Sequence, residues 1–209
     1  MTDNQMNPSI CAIILAAGTS SRMGMPKQLL QLNGKPLLEH AIGMAVSAEF
    51  SEIITVVGCE ATNIQRAITV NDPRFRWVVN EEYLSGQGSS LKTGISQVGE
   101  QHSGMMVFLG DLPFIENRTI QSIYQAGKEM LKEYDTSFVI QPEYNGITGH
   151  PVFFGHPDKK VFMELKGDRG AKIIMNKISM RQSIPVDDSG ILFDIDTPDV
   201  YHEAISLNK

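Results

Sequence analysis

Apolar residues fall into two spacings along this chain: short unbroken runs, and longer stretches where they recur every three or four positions. Ile10–Leu15 is the clearest run, six apolar residues closed by Ala16-Ala17-Gly18. Such a run fits a central strand buried on both faces. Glu52–Val57, Arg74–Val79, Met105–Leu109 and Ser137–Ile140 read as further strands. Between them, Leu38, Ala41, Ile42 and Ala45 keep helical spacing behind Pro36, a residue that a first helical turn tolerates. Ala61–Ile68 reads as a helix. So do Ser89–Val98, with Leu91, Ile95 and Val98 on one face, and Asn117–Leu131, with Asn117 as its N-cap.

Strand alternating with helix predicts an α/β fold: a Rossmann-like three-layer sandwich around a mostly parallel sheet. The pattern changes after Gln141. PEYNGITGHPVFFG reads as loop and then a short strand, Lys159–Leu165 and Ala171–Met175 as short helices, Gln182–Val186 and Ile191–Ile195 as short strands. Thr197-Pro198 opens a terminal helix with Thr197 as N-cap. No repeat, linker or low-complexity segment divides the 209 residues, so one domain, 1–209, is expected, with residues 1–8 flexible.

The net charge of −6, with no block of like charges, argues against a general nucleic-acid or anionic-membrane surface. Cys11 and Cys59 form no C-x-x-C pair, which fits reduced structural thiols in a cytoplasmic protein. The first residues, MTDNQMNPS, lack a basic segment followed by an apolar one. No apolar run approaches the roughly 20 residues that span a bilayer. The eleven methionines suit core packing better than a metal site.

The stretch LAAGTSSRMGMPKQLL, Leu15 to Leu30, carries the first candidate chemistry. Loops after parallel strands sit at the carboxyl edge of a sheet, where ligands bind. Ala16, Ala17 and Gly18 let a nucleotide approach the backbone, and Arg22 and Lys27 offer a planar fork and a mobile point charge to phosphates. A Walker A loop is excluded, since five residues separate Gly18 from Gly24 and Met25 follows. A GxGxxG fingerprint is absent. On composition alone, a solvated turn whose Arg22 and Lys27 face water explains the loop equally well.

The loop resembles the LAAG-x-x-x-RMG-x-x-K signature of nucleotidyltransferases of the glycosyltransferase-A-like fold. GQGSSL (Gly86–Leu91) resembles the segment that closes over the base, and GDLP (Gly110–Pro113) resembles the metal-binding turn. GHPVF (Gly149–Phe153), GDRGA (Gly167–Ala171) and DIDTP (Asp194–Pro198) resemble the molybdenum cofactor cytidylyltransferase branch, in order and spacing.

That resemblance implies a nucleotide-diphospho-sugar transferase-like fold. It also implies transfer of a cytidylyl group from CTP to the terminal phosphate of molybdopterin, with release of pyrophosphate. The product would serve xanthine dehydrogenase-type molybdenum hydroxylases. LAAG, where guanylyl-transferring relatives tend to read LAGG, favours CTP. The resemblance assigns Leu15, Ala16, Ala17, Gly18, Arg22, Lys27 and Asp111 to the nucleotide, with Arg22, Lys27 and Asp111 catalytic and Gly88, Ser89 and Ser90 near the base. Asp111 and Asp196 would hold Mg²⁺ or Mn²⁺, with Asp194 as the alternative ligand. Gly149, His150 and Asp168 border the acceptor, within acceptor-side elements at 141–190.

Plainer roles stand beside these. Ser89 and Ser90 cap a helix, Asp194 and Asp196 open one, and His150 is a loop histidine. Asp168 and Arg169 either contact the cofactor or close a loop by pairing. His40, His102, His156 and His202 read as surface or satisfied residues. Rival functions are guanylyl transfer to molybdopterin, nucleotidyl transfer to a sugar or alcohol phosphate, and a non-catalytic cofactor chaperone.

Overall fold

The computed structural model describes residues 7–165 and 170–207. Strands β1 (Ser9–Ala16), β4 (Glu52–Val57), β5 (Phe75–Val79) and β6 (His102–Leu109) are parallel neighbours in the order β6-β1-β4-β5. Beyond β6 lie β9 (Val152–Gly155), antiparallel to both its neighbours, then β7 (Phe138–Tyr144) and β10 (Met180–Pro185), with β8 (Ile147–Thr148) paired to β7. These make one eight-stranded sheet; β2 (Gln31–Leu32) and β3 (Lys35–Pro36) form a separate ribbon.

Helices cover both faces, and β1 shows why its sequence is apolar throughout. Ile10, Ala12 and Ile14 join one buried cluster with α1 (Leu37–Val46), α2 (Ala61–Ala67) and α4 (Asn117–Glu133). Cys11 and Ile13 join the other with α3 (Gln87–Ser96), α5 (Lys159–Met163) and α6 (Gly170–Lys177). Alternate side chains of a strand point to opposite faces, so burying both faces demands an unbroken apolar run. A Cβ added to Gly94 of α3 would stand 2.8 Å from Ile13 Cγ2; glycine there lets the helix lie close on β1. The terminal helix α7 (Pro198–Leu207) packs through Ala204 with Leu30, Leu32, Leu37 and Ile195.

Four expectations need correction. Asn117 is the first residue of α4, with Glu116 at the cap position and no cap from its side chain. Asp188 serves that end instead, accepting from Glu116 N at 2.9 Å and Thr119 Oγ1 at 2.6 Å. Ile191–Ile195 is not a strand: Ser189–Leu192 is a 3₁₀ turn, begun by Gly190 N donating to Asp188 Oδ1. Residues 142–144, the start of the expected loop, are the end of β7. Helix α3 starts two residues before Ser89. Thr197 behaves as expected, its Oγ1 accepting from Val200 N at 3.4 Å. The expected flexibility of residues 1–8 falls largely outside the described residues.

Candidate active site

The parallel strands β1, β4, β5 and β6 end at one edge, and the loops that follow them gather there. After β1 the chain turns through Ala17–Pro26 into a 3₁₀ turn, Lys27–Leu29. Gln28, 3% exposed, holds that turn against the strand. Its Nε2 donates to Ala16 O at 2.8 Å and Gly18 O at 3.1 Å, and its Oε1 accepts from Ser20 Oγ. Ser20 Oγ in turn accepts from Lys27 N at 3.0 Å. Two loop carbonyls are thus tied inward, and Gly110 N donates to Leu15 O at 2.9 Å to bring the β6 turn alongside.

This folding converges three chain segments on one charged cluster. Lys27 Nζ donates to Asp111 Oδ2 at 2.5 Å and to Asp196 Oδ1, while Arg22 Nη2 donates to Asp196 Oδ2 at 2.7 Å. Ile195 N bonds Asp111 O at 3.0 Å, which locks the DIDTP segment beside the β6 turn. Burial works against the Lys27 charge, but the charge of Asp111 and the bonds to both carboxylates outweigh it and raise its pKa. Burial likewise resists ionisation of Asp196, yet Lys27 and Arg22 hold it below the usual carboxylate range. Asp194 is pushed up, by burial first and then by the negative charges of Asp196 and Asp111.

One cavity adjoins this cluster, and a second shares Leu15, Gln87 and Leu109 with it as a common wall. The first, about 380 Å³, is lined by the Leu15–Thr19 loop, Lys27, Gln28, the turn at Tyr83–Gln87, Ser90 and Asp111. The second, about 810 Å³, is lined by His150, Gln141, Thr148, Asn176, Lys172 and Arg181 among others. Leu15, Ala16, Ala17, Gly18, Lys27, Ser90 and Asp111 therefore meet at one cavity, whereas Arg22, largely exposed, does not line it and is tied to Lys27 through Asp196. Gly88 and Ser89 do not line it: both are buried, and Ser89 Oγ donates to Glu82 O and Gly86 O.

His150 lines the second cavity, with its Nδ1 buried and unpartnered among the described residues. Burial pushes its pKa down, against a backbone bond with Val107 and the charge of Asp111. Gly149 fits because a Cβ would come 2.5 Å from Ile191 O. Asp168, with the rest of GDRGA before Gly170, lies outside the described residues.

Sequence reasoning missed Gln28, Asn80, Lys172 and Arg181. Asn80 is 2% exposed. Its Nδ2 donates to the Oγ atoms of Ser89 and Ser90, and its Oδ1 accepts from Glu82 N and Thr93 Oγ1. A polar residue directly after an apolar strand, at the carboxyl edge, was the available signal. Of the other histidines, His40 and His102 are hydrogen-bonded and His202 is exposed. His156 departs from expectation, with a buried Nε2 unpartnered among the described residues. Burial raises the Cys11 thiol pKa, in keeping with an inert structural cysteine.

A family model described as a MobA-like NTP transferase domain matches residues 12–183. The chain belongs to the MobA-like NTP transferase family, and it is a nucleotidyltransferase. Among curated proteins, the purine catabolism protein PucB of Bacillus subtilis is 26% identical over 203 residues, 93% of this chain and 95% of PucB. Among solved structures, Rv0371c from Mycobacterium tuberculosis superposes with a TM-score of 0.79 at 25% identity, over 96% of this chain and 99% of that one. A nucleotidyl transferase from Methanothermobacter thermautotroptrophicus gives 0.77 at 22% identity, over 95% and 97%. The MobA-like sheet carries the LAAG loop, the β6 turn and the DIDTP segment to one edge. No helix among the described residues is long and apolar enough to cross a membrane.

The donor set fits a divalent cation. Asp111 Oδ1 is buried and unpartnered beside the Lys27 cluster, an oxygen left open for a ligand. Among the described residues, no three His, Cys, Asp or Glu side chains converge to hold an ion. Two carboxylates with phosphate oxygens and water as the remaining ligands is the set that Mg²⁺ favours.

Proposed function

We propose that this MobA-like enzyme transfers the cytidylyl group of CTP to the terminal phosphate of molybdopterin, bare or carrying molybdenum, and releases pyrophosphate. The observation that carries the reading is the Lys27–Asp111–Asp196 cluster, of which Lys27 and Asp111 line the first of two adjoining cavities. The first, where the Ala16–Gly18 backbone lies open beside Lys27 and Asp111, suits a nucleoside triphosphate. The second, larger and lined by Lys172, Arg181 and His150, suits an anionic heterocyclic acceptor. LAAG and the likeness to PucB, a protein of purine catabolism, support the cytidylyl branch and a xanthine dehydrogenase-type recipient. A manganese complex of Rv0371c supports the use of a divalent ion in this fold.

In this reading an acceptor phosphate oxygen attacks the α-phosphorus, and the bond to the β-phosphate oxygen breaks. Negative charge builds on the α-phosphate oxygens and the departing pyrophosphate. Arg22, Lys27 and the loop amides stand where that charge develops, which is the main requirement of phosphoryl chemistry. Asp111 and Asp196 would hold Mg²⁺ or Mn²⁺, which supplies Lewis-acid stabilisation of phosphate charge when bound. Asp194, with its raised pKa, backs Asp196. His150, held neutral by burial, orients the acceptor through hydrogen bonds, while Lys172 and Arg181 provide its positive charge. Gly149 shapes the backbone beside them, and Asp168 is assigned to the acceptor by resemblance. Two unpaired cysteines suit the cytoplasm as its location.

Calorimetric titration with CTP, GTP, ATP and UTP in the presence of Mg²⁺ tests the reading. CTP is expected to bind at least tenfold tighter than GTP, with the advantage of Mg²⁺ lost in Asp111→Asn. Tighter binding of GTP overturns the cytidylyl assignment.

A further inference from the structure

Lys27 takes the place of a cation between Asp111 and Asp196. Its ammonium is bonded to one oxygen of each, and Arg22 closes on the second oxygen of Asp196. Two carboxylates are thus matched by two cations before any ligand arrives, and Lys27 is well covered, with a side chain 15% exposed. A divalent ion entering between the same carboxylates would sit a few ångströms from the ammonium. Like charges so close repel strongly in a half-buried site. A triphosphate changes that balance, because its oxygens bring excess negative charge and offer Lys27 new partners.

We propose that Lys27 is the internal counter-ion of the Asp111–Asp196 pair. A divalent ion enters between those carboxylates as Lys27 leaves for the phosphates of the nucleotide. The inference rests on reading Asp111 and Asp196 as the metal ligands, and adds to it an order of events. In the nucleotide-free protein the lysine holds the carboxylates in place and keeps metal affinity low. Nucleotide and metal then strengthen one another's binding by the same factor, as linkage requires. The flexible four-carbon stem and compact charge of lysine suit such an exchange, whereas a guanidinium bridging both carboxylates would be harder to displace.

The test is titration of the protein with Mn²⁺ alone, without nucleotide, followed by the electron paramagnetic resonance of the free ion. Lys27→Met is expected to bind Mn²⁺ at least tenfold tighter than the wild type, and the added substitution Asp111→Asn to abolish the gain. Equal or weaker binding by Lys27→Met overturns the exchange, with circular dichroism and Trp77 fluorescence reporting that the variant is folded. A second measurement needs no variant: acylation of Lys27 in the wild type, read by mass spectrometry. Saturating Mn²⁺ alone is expected to speed it severalfold by releasing the ammonium to solvent; an unchanged or slower rate overturns the proposal. If neither wild type nor Lys27→Met binds Mn²⁺, the ligand reading itself fails and the exchange with it. If both bind equally and Asp111→Asn does not, the ligand reading stands and the exchange alone fails.

Discussion

Gln28 has no charge to offer a phosphate, yet it decides the shape of the loop that meets one. Its amide satisfies two carbonyls of the Ala16–Gly18 turn from a buried position. Gln28→Leu strands both carbonyls, and is expected to lower stability by about 2 kcal/mol. It should also raise KM for the nucleotide severalfold, with kcat less affected; denaturant titration and steady-state kinetics check the pair. Lys27 and Asp111 were legible as a motif because charge and spacing mark them. Gln28 was not, because its partners are backbone atoms 10 and 12 residues away.

His150 supplies a pH signature. Its pKa in the fold lies below the ordinary 6.5, so the unfolded chain takes up the proton first as pH falls. Stability linked to this group is therefore complete above about pH 6.5 and declines as pH drops through the interval between the two values. His150→Gln is expected to flatten that part of the stability profile between pH 7 and pH 5, measured by urea unfolding. An unchanged slope would mean that burial does not hold the imidazole neutral.

At the scale of elements, periodicity marked the buried strands and the long helices because their apolar spacing follows the sheet and helix repeats. It failed where tertiary contacts decide. Strand β7 continues through Pro142 and Glu143, although proline argues against an interior strand. Pro142 has no N–H to give, but its carbonyl accepts from Gly149 N, which ties the GHPVF segment to the sheet. The segment Ile191–Ile195, mostly apolar and buried at Ile191 and Ile195, forms a 3₁₀ turn and connector, and periodicity alone cannot tell such a stretch from a strand. The cap of α4 comes from Asp188, far along the chain, where no local rule could find it.

The start of α3 depends similarly on Asn80, whose side chain ties Ser89, Ser90, Glu82 and Thr93 together. Asn80→Leu leaves that network without its hub. A loss of about 3 kcal/mol is expected, at the upper end for unpaired buried polar groups. Nucleotide affinity should fall as well, since Ser90 and the Tyr83–Gln87 turn line the first cavity. Chemical denaturation and nucleotide titration read the two effects, and an unaltered midpoint would show the network to be dispensable.

Across the whole molecule, the three-layer α/β sandwich and its mostly parallel sheet followed directly from strand–helix alternation. The site at the carboxyl edge followed from the fold rule and from the loop composition together. The second cavity was legible only through His150, because Lys172 and Arg181 lie on α6 and β10, outside the motifs that carry the resemblance. The nucleotide side is thus built from β1, β6 and α3, and the proposed acceptor side from β7, β9, β10 and α6. The two cavities meet at Leu15, Gln87 and Leu109, and Lys27 and Asp111 line the first.

The decisive measurement is pyrophosphate release with purified molybdopterin, Mg²⁺ and each of the four nucleoside triphosphates in turn. Release with CTP at least tenfold faster than with GTP, dependent on molybdopterin and lost in Asp111→Asn, is the expected result. Faster release with GTP, or no molybdopterin-dependent release with any nucleotide, would contradict cytidylyl transfer to molybdopterin.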